Sequence, residues 1–558
     1  MVMYGAIALF LMSWLSATHV QPWLSWHAEG AVFLAALLAN GVGVRRAGLG
    51  GGVALPLPAM PLLVLLFVAM LQWWGGQIPF GGDAFVLGLY LVLSVGCLCL
   101  GYAAGRGGGT AHRPWDPLPA LALGLLLVGL ASVFIAFSQV LELWESSGWI
   151  MRMHDLRRPG ANLVQSNHLA TLLVMAMACT AFLHQQSLLG RVSTMMSLLM
   201  LGAGLALTES RTGLLSMGVL LLWWLWKQPQ VAPGAGRSGA VLSAVMVVGM
   251  FLAWPYLYEA LQSGAGAKME TRLVEGSLRF QVWPQLIEAM FQKPWGGWGI
   301  LQVPVAHNAV AHAYPVSEAY TYSHNLVLDL AIWVGLPLAL LTLLGALIWA
   351  GARVRATQTL LPWFGFALAL PVGIHSMLEY PHAYAYFLAP LMLALGLIEG
   401  ALGVPPWRMV GRRWAALGLV VWAVLLLGAV RDYVLVEEDF RAARFQMMGV
   451  GQTPADYKRP NIHLLTQLGA LTDSAWLEIR PGMNAEELSL LRAVALRHPW
   501  TATQYRYALA LALNGQPQES QRQLEVIRAQ RGDTAYRKLH QELERSRSEW
   551  GATRWVAK

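Results

Sequence analysis

Apolar residues in this chain come in long continuous runs rather than alternating with polar ones. Most runs approach the roughly 20 residues that a helix needs to cross a bilayer core. About thirteen of them predict helical spans at 3–19, 30–44, 53–73, 83–105, 117–141, 166–185, 192–208, 212–227, 239–258, 324–350, 357–377, 384–403 and 413–432. The first run, from Met3 to about Ala17, has no basic flank, so it is expected to be a retained span and not a cleaved signal.

The polar intervals are unequal. Two are long: residues 142–165, with Trp144, Arg152, His154, Asp155, Arg157, Arg158, Asn162 and Gln165, and residues 259–323. The second holds Arg272, Arg279, Trp283, the turn Pro294-Trp295-Gly296-Gly297-Trp298-Gly299, His307, His312, Tyr320 and Tyr322. Connections this long between helices are usually functional or disordered. The aromatics and the helix-like run Arg279 to Phe291 predict an ordered loop against a membrane. Beyond about Arg431 the pattern changes again. Charges of both signs recur at helical spacing, and the stretch Pro499 to Ser520, with Gly515 at its turn, reads as a tetratricopeptide-like helical hairpin. The expected organisation is therefore a membrane domain over 1–432, a large loop 259–323 within it, and a soluble helical domain over 433–558.

Composition agrees with this pattern. The chain has 558 residues, 56% hydrophobic and 12% charged, with a mean hydropathy of +0.49. No soluble fold hides that much apolar surface. The formal charge of +8 does not imply nucleic-acid binding, because the basic residues are scattered. Arg45, Arg46, Arg106, Arg113, Arg191, Lys227, Arg237, Arg353, Arg355, Arg408, Arg412 and Arg413 fall in alternate loops, which are expected to be cytoplasmic. The two long loops and the tail then face the other side. Cys97, Cys99 and Cys179 lie inside apolar runs and predict neither a disulfide framework nor a zinc site.

Chemistry-bearing residues gather on that second side. His324, in Tyr322-Ser323-His324-Asn325-Leu326, is expected to begin a span at the membrane surface, where an imidazole suits proton transfer from a hydroxyl. Asn325 is placed to orient a ring or a substrate. Arg211, in the short turn Thr208-Glu209-Ser210-Arg211-Thr212-Gly213, either pairs with Glu209 or binds an anion. Arg279 opens an amphipathic run, and guanidinium forks suit phosphate oxygens. The amide-rich segment Arg158 to His168 reads either as a helix start capped by Ser166 or Asn167 or as a sugar-recognition element. Glu379, in His375-Ser376-Met377-Leu378-Glu379-Tyr380-Pro381, is a carboxylate near the membrane, with Arg211 or Arg279 as an expected ion-pair partner. There is no P-loop, dinucleotide fingerprint, HExxH or magnesium-binding aspartate pair.

These segments together resemble the O-antigen ligase and polymerase superfamily of bacterial inner-membrane proteins, most closely its protein O-oligosaccharyltransferase (PglL-type) branch. The run ending Asn167-His168-Leu169 is similar to that branch's N-terminal signature. Glu209-Ser210-Arg211-Thr212-Gly213, Arg279 to Gly299, and Ser323-His324-Asn325 followed by Gly335-Leu336-Pro337 resemble the ligase core. His375-Ser376, Glu379-Tyr380-Pro381 and Tyr386-Phe387 again resemble the protein-glycosylating branch. Ala161 stands where that pattern has glycine, and Ser166 where it has proline.

The resemblance implies an all-α, polytopic enzyme of the inner membrane whose active site and C-terminal domain face the periplasm. It implies transfer of a glycan from undecaprenyl pyrophosphate to a Ser or Thr of an exported protein such as a pilin, with no cofactor and no metal. Catalysis would rest on His324, Arg279 and Arg211, and substrate contacts on Arg158, Asn162, Gln165, Asn167, His168, Tyr322, Asn325, Glu379 and Tyr380. A lipopolysaccharide O-antigen ligase and an O-antigen polymerase share this core and remain alternatives. A transporter or flippase is less favoured, since the ionisable residues gather at one face and not along a midplane path.

Overall fold

A computed structural model of the chain describes residues 1–47, 51–107, 117–144, 147–152, 158–234, 236–261, 279–451, 453–454 and 456–556. Arg113, His154, Asp155, Arg157 and Arg272 lie outside these. Helices dominate the described residues. They are α1 (Val2–Ser13), α2 (Trp26–Arg46), α3 (Ala59–Trp74), α4 (Gly81–Gly107), α5 (Pro117–Val140), α6 (Ser166–Gln185) and α7 (Arg191–Leu207). There follow α8 (Arg211–Val231), α9 (Ser238–Leu261), α10 (Arg279–Gln292), α11 (Val303–Ala311), α12 (Leu326–Val334), α13 (Leu336–Ala356) and α14 (Leu360–Ser376). The last are α15 (Ala385–Ala401), α16 (Arg412–Met447), α17 (Thr466–Trp476), α18 (Ala485–Arg497), α19 (Thr501–Leu513) and α20 (Pro517–Val556), the last kinked at Gly532.

Seven helices, α2, α4, α5, α6, α9, α13 and α16, are long and apolar enough to cross a membrane, and α1, α3, α7, α14 and α15 are shorter apolar helices. With α8, every expected span has a helix in it, so the chain is a polytopic helical membrane protein. Two expectations change in detail. Residues 52–55 form a strand, β1, paired antiparallel with β2 (Arg408–Gly411), because Pro56 and Pro58 delay the helix start to Ala59. The expected span 324–350 is broken into α12 and α13 at Gly335 (φ 83°). His324 therefore precedes a nine-residue helix and does not begin the spanning helix itself.

The chain divides into two compact units. The first comprises Met1–Val64, Leu89–Ala267 and Ala346–Leu427. Its centre is α6, which packs against α5, α7, α8 and α14. Small residues permit the close crossings. A Cβ on Gly213 would lie 2.6 Å from the Ala170 Cβ, so the first turn of α8 rests directly on α6. Helices α4 and α15 cross through facing glycine pairs spaced four apart, Gly101 and Gly105 against Gly396 and Gly400. A Cβ at any of the four would fall 1.9–2.5 Å from a backbone atom of the opposite helix, the close approach that small-residue repeats allow between membrane helices.

The second unit comprises Leu65–Gly88, Lys268–Gly345 and Gly428–Lys558. Here the break at Gly335 is closed by the Pro294–Gly299 turn. Carbonyls freed at the end of α12 accept from Trp298 N (Ile332 O, 2.7 Å) and Gly299 N (Trp333 O, 3.3 Å), and Leu336 N donates to Pro294 O (2.7 Å). Gln72 adds a bond to Trp333 O (2.8 Å) and accepts from Ile300 N (3.0 Å). Broken helices next to lipid survive only when protein satisfies the backbone in this way. The tail supplies α17 to α20, packed in sequence order, with Leu524, Ile527 and Leu543 covering Ala508 of α19.

Candidate functional site

In the first unit, the sequence-selected residues form one polar network. Ser210 caps α8, its Oγ accepting from Gly213 N (3.0 Å) and donating to Asn167 Oδ1 (2.7 Å). Arg158 donates Nε to Thr208 O (2.7 Å) and a terminal nitrogen to Asn167 Oδ1 (3.3 Å). The Asn167 amide donates to Glu379 Oε1 (3.2 Å), and Gln165 donates to Glu379 Oε2 (3.5 Å). Asn167 is thus the junction between the α6 start, the Thr208–Arg211 turn and the loop after α14. The expected cap by Ser166 or Asn167 is absent. Residue Gln165 precedes the helix without a side-chain cap bond, because these amides are spent across the network.

Arg211 is the first residue of α8. It is solvent-exposed and, among the described residues, makes no ion pair or side-chain hydrogen bond, either with Glu209 or with Glu379. A guanidinium thus sits at the positive end of a 21-residue helix, an arrangement that favours anions.

His168 is buried, its ring 4.6 Å from Tyr384, 5.2 Å from Phe387 and 5.6 Å from His375. His375 Nδ1 lies 2.7 Å from Thr171 Oγ1, one turn beyond Asn167. Tyr380 stacks on Tyr384 with ring centres 6.0 Å apart. His382, in the turn between α14 and α15, is pushed down to about 4 by burial. Asn162 is wholly engaged inside the protein: its amide donates to Leu15 O and Trp149 O (both 2.8 Å), and its side-chain oxygen accepts from Met151 N (3.0 Å). It ties Trp149 and Met151 to Leu15 and offers little to a ligand.

The second unit contains Arg279, Tyr322, His324 and Asn325. His324 is half-buried with φ 60°, a left-handed conformation that is uncommon for any residue but glycine. Its neighbours hold it there. Ser323 N donates to Asp329 Oδ1 (2.7 Å), Ser323 Oγ donates to Asn325 O (2.8 Å), and Asn325 Oδ1 caps α12 by accepting from Val327 N and Leu328 N (both 3.0 Å). Asn325 therefore acts mainly on the backbone, positioning the histidine. The His324 ring lies 4.4 Å from Tyr320, and Tyr322 faces Trp333 at 6.2 Å.

Helix α10 is tied to this loop by Trp283, whose indole N–H donates to Ser323 O (2.8 Å). Arg279 opens α10 and stands four residues, about one turn, before Trp283. Behind α10 a buried triangle of His307, Gln285 and Ser317, with distances of 2.8–2.9 Å, fixes α11 and the loop. Burial pushes His307 down to about 4, so it stays neutral and structural. Sequence reasoning quoted Ser210 and Trp283 within their segments without giving either a role, and it gave none to Thr171. Only the Ser-x-x-Gly spacing of a helix cap pointed to Ser210.

Comparison with known proteins matches these segments. The O-antigen ligase family matches residues 195–343, a range that contains Arg211, Arg279 and His324. The C-terminal family of virulence factor membrane-bound polymerases matches residues 363–544, containing Glu379, Tyr380 and most of the helical tail. A general O-oligosaccharyltransferase of Acinetobacter baylyi (strain ATCC 33305 / BD413 / ADP1) is 26% identical over 533 residues, covering 93% of this chain and 90% of that protein. A ComP-specific O-oligosaccharyltransferase of the same strain is 28% identical over 344 residues, 60% of each chain. The chain is thus similar to O-antigen ligases over 195–343 and to an O-oligosaccharyltransferase along most of its length.

Proposed function

We propose that the chain is an inverting oligosaccharyltransferase. It moves a glycan from undecaprenyl pyrophosphate to a Ser or Thr hydroxyl of a periplasmic protein such as a pilin, at the outer face of the bacterial inner membrane. The observation that carries this reading is Arg211, a cation exposed at a helix start that pairs with none of the described residues and adjoins Ser210, which the Asn167–Glu379 network holds. Arg211 and Arg279 bind the diphosphate and offset its charge as the anomeric C–O bond breaks. Losing one such group typically costs about 10²–10³ in rate. His324 takes the acceptor proton as the hydroxyl oxygen attacks the anomeric carbon from the opposite side, a role typically worth ~10²–10⁴. Glu379, Tyr380, Gln165 and Tyr322 lie beside these groups in sequence or in the networks described, where glycan hydroxyls would bind.

The test is reconstitution in a bacterium carrying a lipid-linked glycan and a candidate pilin, read by intact pilin mass. A glycan-sized shift that vanishes with His324→Ala supports the assignment. His324→Asn, whose side chain tolerates the left-handed backbone, should fold normally and also be inactive; near-normal transfer by it would exclude the base role. Arg279→Lys should lose most activity if the fork geometry matters. Glycan on lipopolysaccharide alone would make the protein an O-antigen ligase. Lengthened lipid-linked glycan alone would make it a polymerase.

A further inference from the structure

We propose that the first unit seats an anionic phospholipid on the side of the membrane opposite the proposed catalytic face. A groove of about 1190 Å³ runs between α1, α2, α4, α5 and α15 and ends at the β1–β2 ribbon. Its walls are apolar, with Phe10, Val32, Ala39, Leu100, Leu121 and Leu393 among them. The floor is rigid, because the glycine-paired crossing of α4 and α15 lies beneath it.

Length and charge identify the occupant. Along α2 the groove extends from Val32 to Arg46, about 21 Å at 1.5 Å per residue. That is one leaflet of hydrocarbon, about 15 Å, plus a headgroup layer. The two arginines in its lining, Arg46 and Arg106, both belong to the last turns of their helices, α2 and α4. Both are exposed and, among the described residues, neither makes an ion pair or side-chain hydrogen bond. A second cavity of about 400 Å³ shares Met3, Arg46 and Pro117 with the groove and adds Arg45. Of the polar side chains in its lining, Asn40 is turned back onto Ala36 O (2.9 Å) and Tyr102 donates to Val404 O (2.7 Å). An apolar slot one leaflet deep with free guanidinium groups at one end matches acyl chains under an anionic headgroup. A neutral lipid would leave the cations unanswered. By the distribution of basic residues, this leaflet is the cytoplasmic one.

The experiment is native mass spectrometry of the purified full-length protein titrated with phosphatidylglycerol and, separately, phosphatidylethanolamine. The expected result is a saturable adduct favouring phosphatidylglycerol. The Arg46→Gln/Arg106→Gln double variant should weaken it about thirtyfold, the scale set by two basic residues near an anionic lipid surface. Ala39→Phe, which fills the slot and leaves the charges, should remove it as well. Equal binding of the two lipids, or an adduct unchanged in both variants, would overturn the proposal in favour of ordinary boundary lipid. Displacement by stoichiometric undecaprenyl phosphate would also overturn it, assigning the groove to the donor's tail.

Discussion

His324 carries a backbone conformation that costs a residue with a Cβ about 1–2 kcal/mol, and Ser323, Asn325 and Asp329 hold it in place. Ala161 bears the same kind of strain (φ 49°), at the position where the family pattern has glycine. Ser166, where that pattern has proline, is the first residue of α6, and Gln165 before it is extended (φ −103°, ψ 123°), as a following proline requires. Both departures thus fall at sites where the expected residue fits the backbone better. Ala161→Gly and Ser166→Pro are each expected to stabilise the protein by about 0.5–1 kcal/mol, seen as a higher unfolding midpoint in detergent with transfer unchanged. Arg211, Arg279 and His324 were legible in the sequence because cations and imidazoles stand out against apolar runs. Their supports were not, because Asn167 meets Ser210 and Glu379 only after α6, α8 and α14 have packed.

Among the elements, the spans were legible from continuous apolar length alone. The break at Gly335 was not, since the Pro294–Gly299 turn that closes it lies about 40 residues upstream and hydrophobicity runs through it unchanged. The facing glycine pairs of α4 and α15 are visible as four-residue spacings but acquire meaning only as a pair. Gly396→Val should force the helices apart, since its Cβ would lie 2.1 Å from Leu98 O, costing about 3 kcal/mol. Gly373→Ala, with nothing within 4 Å, is the control expected to be near neutral. Thermal unfolding in detergent reads both.

At the scale of the whole molecule, the tail is part of the unit that holds His324. Asp83, at the start of α4, is buried against a bidentate Arg497 (2.9–3.1 Å), Gly82 N donates to Thr466 (2.8 Å), and Ser317 N donates to Ala529 O (2.8 Å). Removing residues 440–558 therefore tests stability before it tests acceptor choice. Arg497→Gln, which strands a buried carboxylate, should cost about 3–5 kcal/mol in the second unit, detected as faster hydrogen exchange over 303–334. The same unit is acid-sensitive. His307 is pushed down to about 4 and His498 to about 3, each mainly by burial. An unfolded chain binds their protons near pH 6.5 and the folded one does not, so stability is full above about 6.5 and falls as pH drops toward 4. The ceiling is roughly 3 kcal/mol for His307 and roughly 5 kcal/mol for His498. Unfolding midpoints measured from pH 7.5 to 5 should decline, and less so in His307→Gln.

The Asp83–Arg497 pair also bears on biosynthesis. Its partners are separated by 414 residues, so at about 5–20 residues per second the carboxylate waits roughly 20–80 s for its guanidinium to be made. Every apolar helix from α4 through α15, and the membrane stretch of α16, emerges from the ribosome within that interval. The protein can be inserted while the loop bearing His324 still lacks its foundation. A message cut short before Arg497 would leave an embedded but inert polypeptide, marked by an exposed acidic helix start where a finished molecule has none.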